Sequence, residues 1–364
     1  MGFKCGIVGL PNVGKSTLFN ALTKASIEAS NYPFCTIAPN VGMVLMPDKR
    51  LERIAQIAQS KRTIPTTVKF VDIAGLVAGA SKGQGLGNKF LANIRETQAI
   101  AHVVRCFKNE NIAHISGNID PISDIEVVNT ELALADIETI DTALMNLAKD
   151  VKRGDQRAYG MKISFEKFKN LLSKSIPLRS VNLKKEEKIL LQPYQLLTLK
   201  PVLYVANVTE EGFTNNSYLD QVIKYAKKEK VKVVPVCASM ESKVPELFSA
   251  KQIEFLQNLG LEEVGLNSVI QAGYELLELI TFFTAGPKEV RAWTCHKGTT
   301  APQAAGVIHS DIEKRFIRVE VIGYNDYLQF NGEEGAKDAG RWRLEGKKYV
   351  VQDGDIMYFR SGTS

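Results

Sequence analysis

The chain reads as an α/β fold: a mostly parallel sheet with helices on both faces, an inserted helical hairpin, and a small β-rich C-terminal domain. Three observations predict it. Short apolar runs alternate with helical periods from Lys4 onward, the rhythm of a parallel sheet covered on both faces. A glycine-rich loop separates the first run from the first helical period. The alternation breaks between residues 127 and 200, where apolar residues recur at helical spacing, and strand-like runs of a different rhythm follow residue 281.

The predicted strands of the first domain are 4–10, 42–46, 66–72, 102–107, 201–207 and 232–238, which makes it discontinuous, 1–126 and 201–280. The insertion, 127–200, carries a helical period through Leu144 and Leu147, then the polar stretch Lys149-Asp-Val-Lys-Arg-Gly154-Asp-Gln-Arg157. A second helical region is expected to start near Lys162, pause around Pro177 and resume over 183–191, giving two antiparallel helices. In the C-terminal domain, 281–364, strands are expected at 281–284, 291–294, 317–322 and 355–359, with a short helix at 301–308 entered near Pro302.

The loop Gly9-Leu-Pro-Asn-Val-Gly14-Lys15-Ser16 fits G-x-x-x-x-G-K-[ST] and stands between a strand and a helix, the context this motif requires. Glycines let successive backbone N–H groups turn inward as an anion nest, and the helix N-terminus adds its positive dipole end. Val13, Gly14, Lys15, Ser16 and Thr17 are therefore candidate phosphate ligands, Lys15 for the β- and γ-phosphates and the Ser16 hydroxyl for magnesium. A P-loop nucleoside triphosphatase needs a second acid at a strand end. Asp72 supplies one, acting on the metal through water, and Gly75 follows at D-x-x-G spacing, where its N–H would sense the γ-phosphate. Between them, in a loop rich in proline and asparagine, Thr36 is placed to close on magnesium and the γ-phosphate and to be released after hydrolysis. Its plainer reading is an ordinary polar loop residue.

The base-recognition segment departs from the guanine-reading N-K-x-D. The strand at 201–207 ends in Asn207-Val208-Thr209-Glu210, with valine for lysine and glutamate for aspartate. Aspartate there accepts two hydrogen bonds from guanine; glutamate is one methylene longer and need not reach the same point. Adenine offers a donor and an acceptor that the Asn207 amide can match. Ser239 follows the next strand, at the position of a backbone contact to the base.

Leu76 stands where Ras-type enzymes carry the glutamine that orients water. His114 is one candidate to replace it; a surface loop histidine is the other reading. Asn12 has two readings as well, a turn-stabilising residue or a ligand to a potassium ion acting as a built-in arginine finger.

The net charge is +6. That permits a nucleic-acid partner without demanding one. Lys149, Lys152, Arg153, Arg157 and Lys162 cluster near the hairpin tip, as a solvated face or as contacts to an RNA backbone. The five cysteines, Cys5, Cys35, Cys106, Cys237 and Cys295, are far apart without C-x-x-C, so neither a disulfide framework nor a zinc site is indicated. His102, His296 and His309 lack metal-ligand spacing. The N-terminus enters the first strand almost at once and no apolar run reaches about 18 residues, so a cytoplasmic protein without a membrane segment is expected.

Almost end to end, the sequence resembles the YchF proteins, an Obg-related branch of translation-associated P-loop NTPases. The resemblance rests on Gly9–Thr17 (GLPNVGKST), on Asn31–Asn40 (NYPFCTIAPN), on Asp72–Ala80 (DIAGLVAGA) and on Asn207-Val-Thr-Glu210. It implies an ATPase that prefers ATP to GTP and associates with the ribosome. It also implies that His114 is the family's loop histidine and Phe107 its aromatic flank to adenine. The C-terminal domain resembles the TGS module, a β-grasp docking domain. The partners implied are ATP, with GTP weaker, and the ribosome including its large subunit, through ribosomal RNA or tRNA; a monomer is expected. An Obg-type GTPase acting in large-subunit assembly, and an RNA-binding adaptor with a structural nucleotide, are the alternatives. The missing N-K-x-D argues against the first; the intact Lys15, Ser16, Thr36 and Asp72 argue against the second.

Overall fold

The structure is a computed structural model of the 364-residue chain, described at residues 3–24, 40–73, 86–109, 112, 117–242 and 265–362. In chain order it runs β1 (Lys4–Val8), α1 (Lys15–Lys24), β2 (Val41–Leu45), α2 (Lys49–Ile57), β3 (Thr63–Ile64), β4 (Thr67–Asp72), α3 (Leu86–Arg95) and β5 (Ala99–Arg105). The insertion holds α4 (Pro121–Lys152), α5 (Gln156–Ser173) and α6 (Lys185–Leu191). Next come β6 (Val202–Asn207), α7 (Ser217–Glu229), β7 (Val233–Val236), α8 (Ala238–Glu241) and α9 (Gly265–Leu276). The chain ends with β8 (Leu279–Thr284), β9 (Val290–His296), α10 (Ala301–Ile308), α11 (Ser310–Lys314), β10 (Phe316–Ile322), α12 (Tyr324–Gln329), α13 (Glu333–Asp338), β11 (Arg343–Glu345) and β12 (Ile356–Ser361).

Two compact units result, 1–44 with 69–273 and 45–68 with 274–364. In the first, six strands take the order β2-β4-β1-β5-β6-β7. The pairs β4–β1, β1–β5, β5–β6 and β6–β7 are parallel. All seven residues of β5 and all six of β6 are buried, as strands covered on both faces must be. β1 sits where the order reverses, with the earlier strands on one side and the later ones on the other. At such a switch point the carboxyl ends of the strands leave a crevice for a ligand.

α4 starts on a strong signal: the Asp120 carboxylate accepts from the N–H groups of Ile122 and Ser123, and Pro121 occupies the first turn. It runs 32 residues, a rod of about 48 Å. Asp155 caps α5 in the same way, after the left-handed Gly154 has turned the chain. α5 thus begins at Gln156, earlier than the expected Lys162, because the cap sits inside the polar stretch. The expected pause at Pro177 is a single 3-10 turn, 178–180. The insertion is more than two helices. Phe165, Phe168, Leu172, Leu178, Leu183, Leu191 and Leu196 join Ile140 and Ala143 in a core of its own.

The second unit is a sheet in the order β11-β10-β12-β8-β9-β3. The hairpin β8–β9 is antiparallel, β12 lies parallel to β8, and β10 is antiparallel to both β12 and β11. That is a β-grasp arrangement, with α10 on one face. Strand alternation divides the core: Phe282 packs with Ala301, Ala304 and Ala305 of α10, while Phe283 packs with Leu51 and Ile54 of α2. So 45–68, read from sequence as part of the nucleotide domain, falls in the unit of the C-terminal sheet. The amphipathic α2 buries Leu51 and Ile54 there, and β3 pairs with β9.

Candidate nucleotide site

At the carboxyl edge of the first sheet the strand ends bring the described motif residues together. After β1 the chain winds through Asn12 at φ 64° and Gly14 at φ 98°, left-handed conformations that turn backbone N–H groups inward. Gly14 is required for closeness as well: a Cβ there would lie 2.3 Å from Asn207 Nδ2. Val13 is buried and anchors the loop in the core, while Asn12, Ser16 and Thr17 are exposed at its rim.

Lys15 is 7% exposed, and its Nζ donates to Leu10 O at 2.7 Å across the loop. Burial lowers its pKa from 10.5 to about 8, against the pull of the Asp72 carboxylate. Asp72 ends β4, held by backbone bonds from its own N–H to Asn40 O and from the Ile73 N–H to Ile7 O. Burial raises its pKa, opposed by Lys15 and by a hydrogen bond from the Ser16 hydroxyl. Its Oδ1 is buried without a hydrogen-bond partner among the described residues. A buried carboxylate oxygen left unpaired is costly, so it calls for a charged partner. A hydroxyl and a carboxylate fit a hard, hydrated cation that takes its remaining ligands from phosphate, and the neighbouring ammonium fits the phosphate itself. Among the described residues no cluster of three His, Cys, Asp or Glu offers an all-protein metal cage.

Beside the loop opens a cavity of about 340 Å³ lined by Asn12, Gly14, Thr17, Phe107, Asn109, Ile112, Asn207, Val208, Thr209, Ala238 and Ser239. Its floor is tied together by Asn207, the last residue of β6. The Asn207 Nδ2 donates to Val13 O at 2.9 Å, and Oδ1 accepts the Ala238 N–H at 3.1 Å. The amide thus joins three loops, in addition to the base-matching role expected for it. Val208 is buried and Ser239 exposed, both on the cavity wall. Glu210 is exposed and does not line the cavity; its neighbour Thr209 does. Thr36, Gly75 and His114 lie outside the described residues, so their expected roles have no geometry here. Asn109, Ile112 and Ala238 belong to no motif, and Thr209 sits at an unspecified position of the base-recognition segment; tertiary folding brings them to one cavity.

This nest, lysine, hydroxyl and strand-end acid at the edge of a parallel sheet define a P-loop nucleotide-binding protein. The family described as "50S ribosome-binding GTPase" matches residues 4–140, and the family YchF-GTPase_C, described as "Protein of unknown function (DUF933)", matches residues 279–362. The "Ribosome-binding ATPase YchF" of Haemophilus influenzae is 63% identical over 360 residues, 99% of each chain. That of Bacillus subtilis is 51% identical, again over 99% of each. The solved YchF GTPase of Schizosaccharomyces pombe superposes with a TM-score of 0.90 at 36% identity, over 99% of this chain and 98% of that one. A GTP binding protein from Pyrococcus horikoshii shares the fold, with a TM-score of 0.63 at 19% identity over 99% and 100% of the two chains. The chain belongs to the YchF family. Among the described residues no helix is long and apolar enough to cross a membrane.

Proposed function

We propose that this chain is a magnesium-dependent ATPase that binds the ribosome, large subunit included, and takes GTP more weakly. The observation that carries the reading is the meeting of Lys15, Ser16 and the unpaired Asp72 Oδ1 beside the base-sized cavity. Ser16 would hold magnesium directly and Asp72 through water. Magnesium there would neutralise charge between the β- and γ-phosphates. Lys15 exchanges its bond to Leu10 O for phosphate oxygens, and the nest fixes the triphosphate. Thr36, Gly75 and His114 are the proposed groups that sense the γ-phosphate and orient water, with Asn12 a proposed ligand for potassium. The names of the relatives disagree on the nucleotide, ATPase in bacteria and GTPase in the yeast structure. The wall supports ATP. With Glu210 off the cavity, no carboxylate stands among its described lining residues for guanine's N1–H and 2-amino group, at about 1–3 kcal/mol for each donor left unpaired. Adenine has neither donor to lose.

Ribosome binding rests on the bacterial relatives' name and on the exposed tip residues Lys149, Lys152, Arg153 and Arg157. The C-terminal β-grasp unit, as a TGS-like module, is a second proposed docking surface. The test of the enzyme is phosphate release by purified protein. ATP should be turned over with magnesium and not with EDTA, and Lys15→Ala should abolish turnover. Equal release by that variant would contradict the site.

A further inference from the structure

Arg105 closes β5, and it is the one charged residue in a strand otherwise filled by Ala99, Ile100, Ala101, Val103, Val104 and a neutral His102. The residue is 1% exposed. A guanidinium keeps its proton, so burying one demands acceptors in a forked arrangement. The acceptors are three backbone carbonyls. Nε donates to Phe107 O at 3.2 Å, Nη2 to Asn109 O at 3.2 Å and Nη1 to Ile112 O at 3.1 Å. The guanidinium carbon also lies 4.8 Å from the centre of the Phe107 ring. The Asp124 carboxylate, buried in the first turn of α4, adds a favourable charge.

All three residues whose carbonyls are gripped line the nucleotide cavity. The sheet itself has no need of the arginine. β5 pairs with β6 through its backbone, and the other side chains of the strand are apolar or neutral. What the fork does is tie Phe107, Asn109 and Ile112 to the end of the strand. Without it, the carbonyls of Phe107, Asn109 and Ile112 lose the donor that gathers them at the end of β5.

We propose that Arg105 is the positioning residue that builds the base side of the cavity, holding Phe107, Asn109 and Ile112 as one wall against the purine. The proposal deepens the nucleotide reading given above and rests on it. The wall meets the base and not the phosphates, so the two halves of the ligand separate cause from effect.

The experiment titrates ATP and inorganic triphosphate, each with magnesium, into the full-length protein and its Arg105→Lys and Arg105→Met variants. Lysine keeps the charge and cannot fork to three carbonyls; methionine fills the space with no charge to bury. The expected result is a loss of ATP affinity of about tenfold or more, with triphosphate affinity kept within about twofold, and a rise in KM larger than any fall in kcat. Equal loss for both ligands would make Arg105 a general stabiliser of the unit and overturn the proposal. Unchanged ATP affinity would overturn it too. If lysine prevents folding, the same comparison on the methionine variant decides. A wild-type protein that binds ATP no more tightly than triphosphate would remove the base-cavity reading itself, before any variant is considered.

Discussion

At Lys15 two demands meet, a charge for phosphate and burial in a loop that excludes water. Burial sets its pKa near 8 in the ligand-free protein, and a bound triphosphate would favour the charged form. Above pH 8 the free protein has therefore lost a proton that the complex retains. Affinity should be full below about pH 8 and fall as pH rises past it, by up to about tenfold per unit. Titrations with a non-hydrolysable ATP analogue between pH 7 and 9.5 check this; a flat profile would contradict it. Folding carries the matching sign. The unfolded lysine holds its proton up to 10.5, so this group lets ligand-free stability rise with pH between about 8 and 10.5. Residues of this kind were legible because their motif is local: Gly14, Lys15, Ser16 and Asp72 sit where spacing along the chain put them. Asn207 was legible only in part, since its bond to Val13 O joins positions 194 apart. Glu210 is on motif yet off the cavity, because the turn after β6 presents Thr209 instead. Arg105 left one signal, an arginine inside an apolar strand.

At the scale of elements, α2 shows how a helix can be plain in pattern and opaque in partner. Its period over Lys49–Ile57 is amphipathic and Asp48 caps it, accepting the Arg50 N–H at 3.0 Å. Nothing local says that its apolar stripe covers the far face of a sheet formed more than two hundred residues later. Ile54 is fully buried there against Phe283 and its neighbours. Ile54→Ala should destabilise the second unit by about 2–5 kcal/mol through lost burial and a residual cavity. Both tryptophans, Trp293 and Trp342, lie in that unit, so denaturant melts followed by tryptophan fluorescence report on it alone. An unchanged midpoint would contradict the packing. The hairpin tip belongs to this scale as well. Reversing Lys149, Lys152, Arg153 and Arg157 to glutamate should reduce co-sedimentation with ribosomes and flatten its salt dependence, by roughly one power of salt for each phosphate no longer neutralised. ATP turnover without ribosomes should stay near wild type. Undiminished co-sedimentation would shift the docking surface to the C-terminal β-grasp unit.

At the scale of the whole molecule, the parallel sheet was legible because buried strands and helical periods alternate in order, and the β-grasp sheet because its hairpin and last strand are short, regular and rich in β-formers. What was not legible is the division of labour: a chain that leaves its nucleotide domain at Leu45, supplies a helix and a strand to the second unit, and returns at Lys69. Pairings between distant segments decide that, and periodicity does not record them. The central claim is that the cavity between Asn207, Val208, Phe107 and Ser239 selects adenine over guanine. Side-by-side equilibrium titrations of ATP and GTP on the purified protein, with magnesium, test it most directly. The account predicts ATP tighter by about tenfold or more, as the loss of a carboxylate for guanine requires; GTP bound as tightly or more tightly would contradict it.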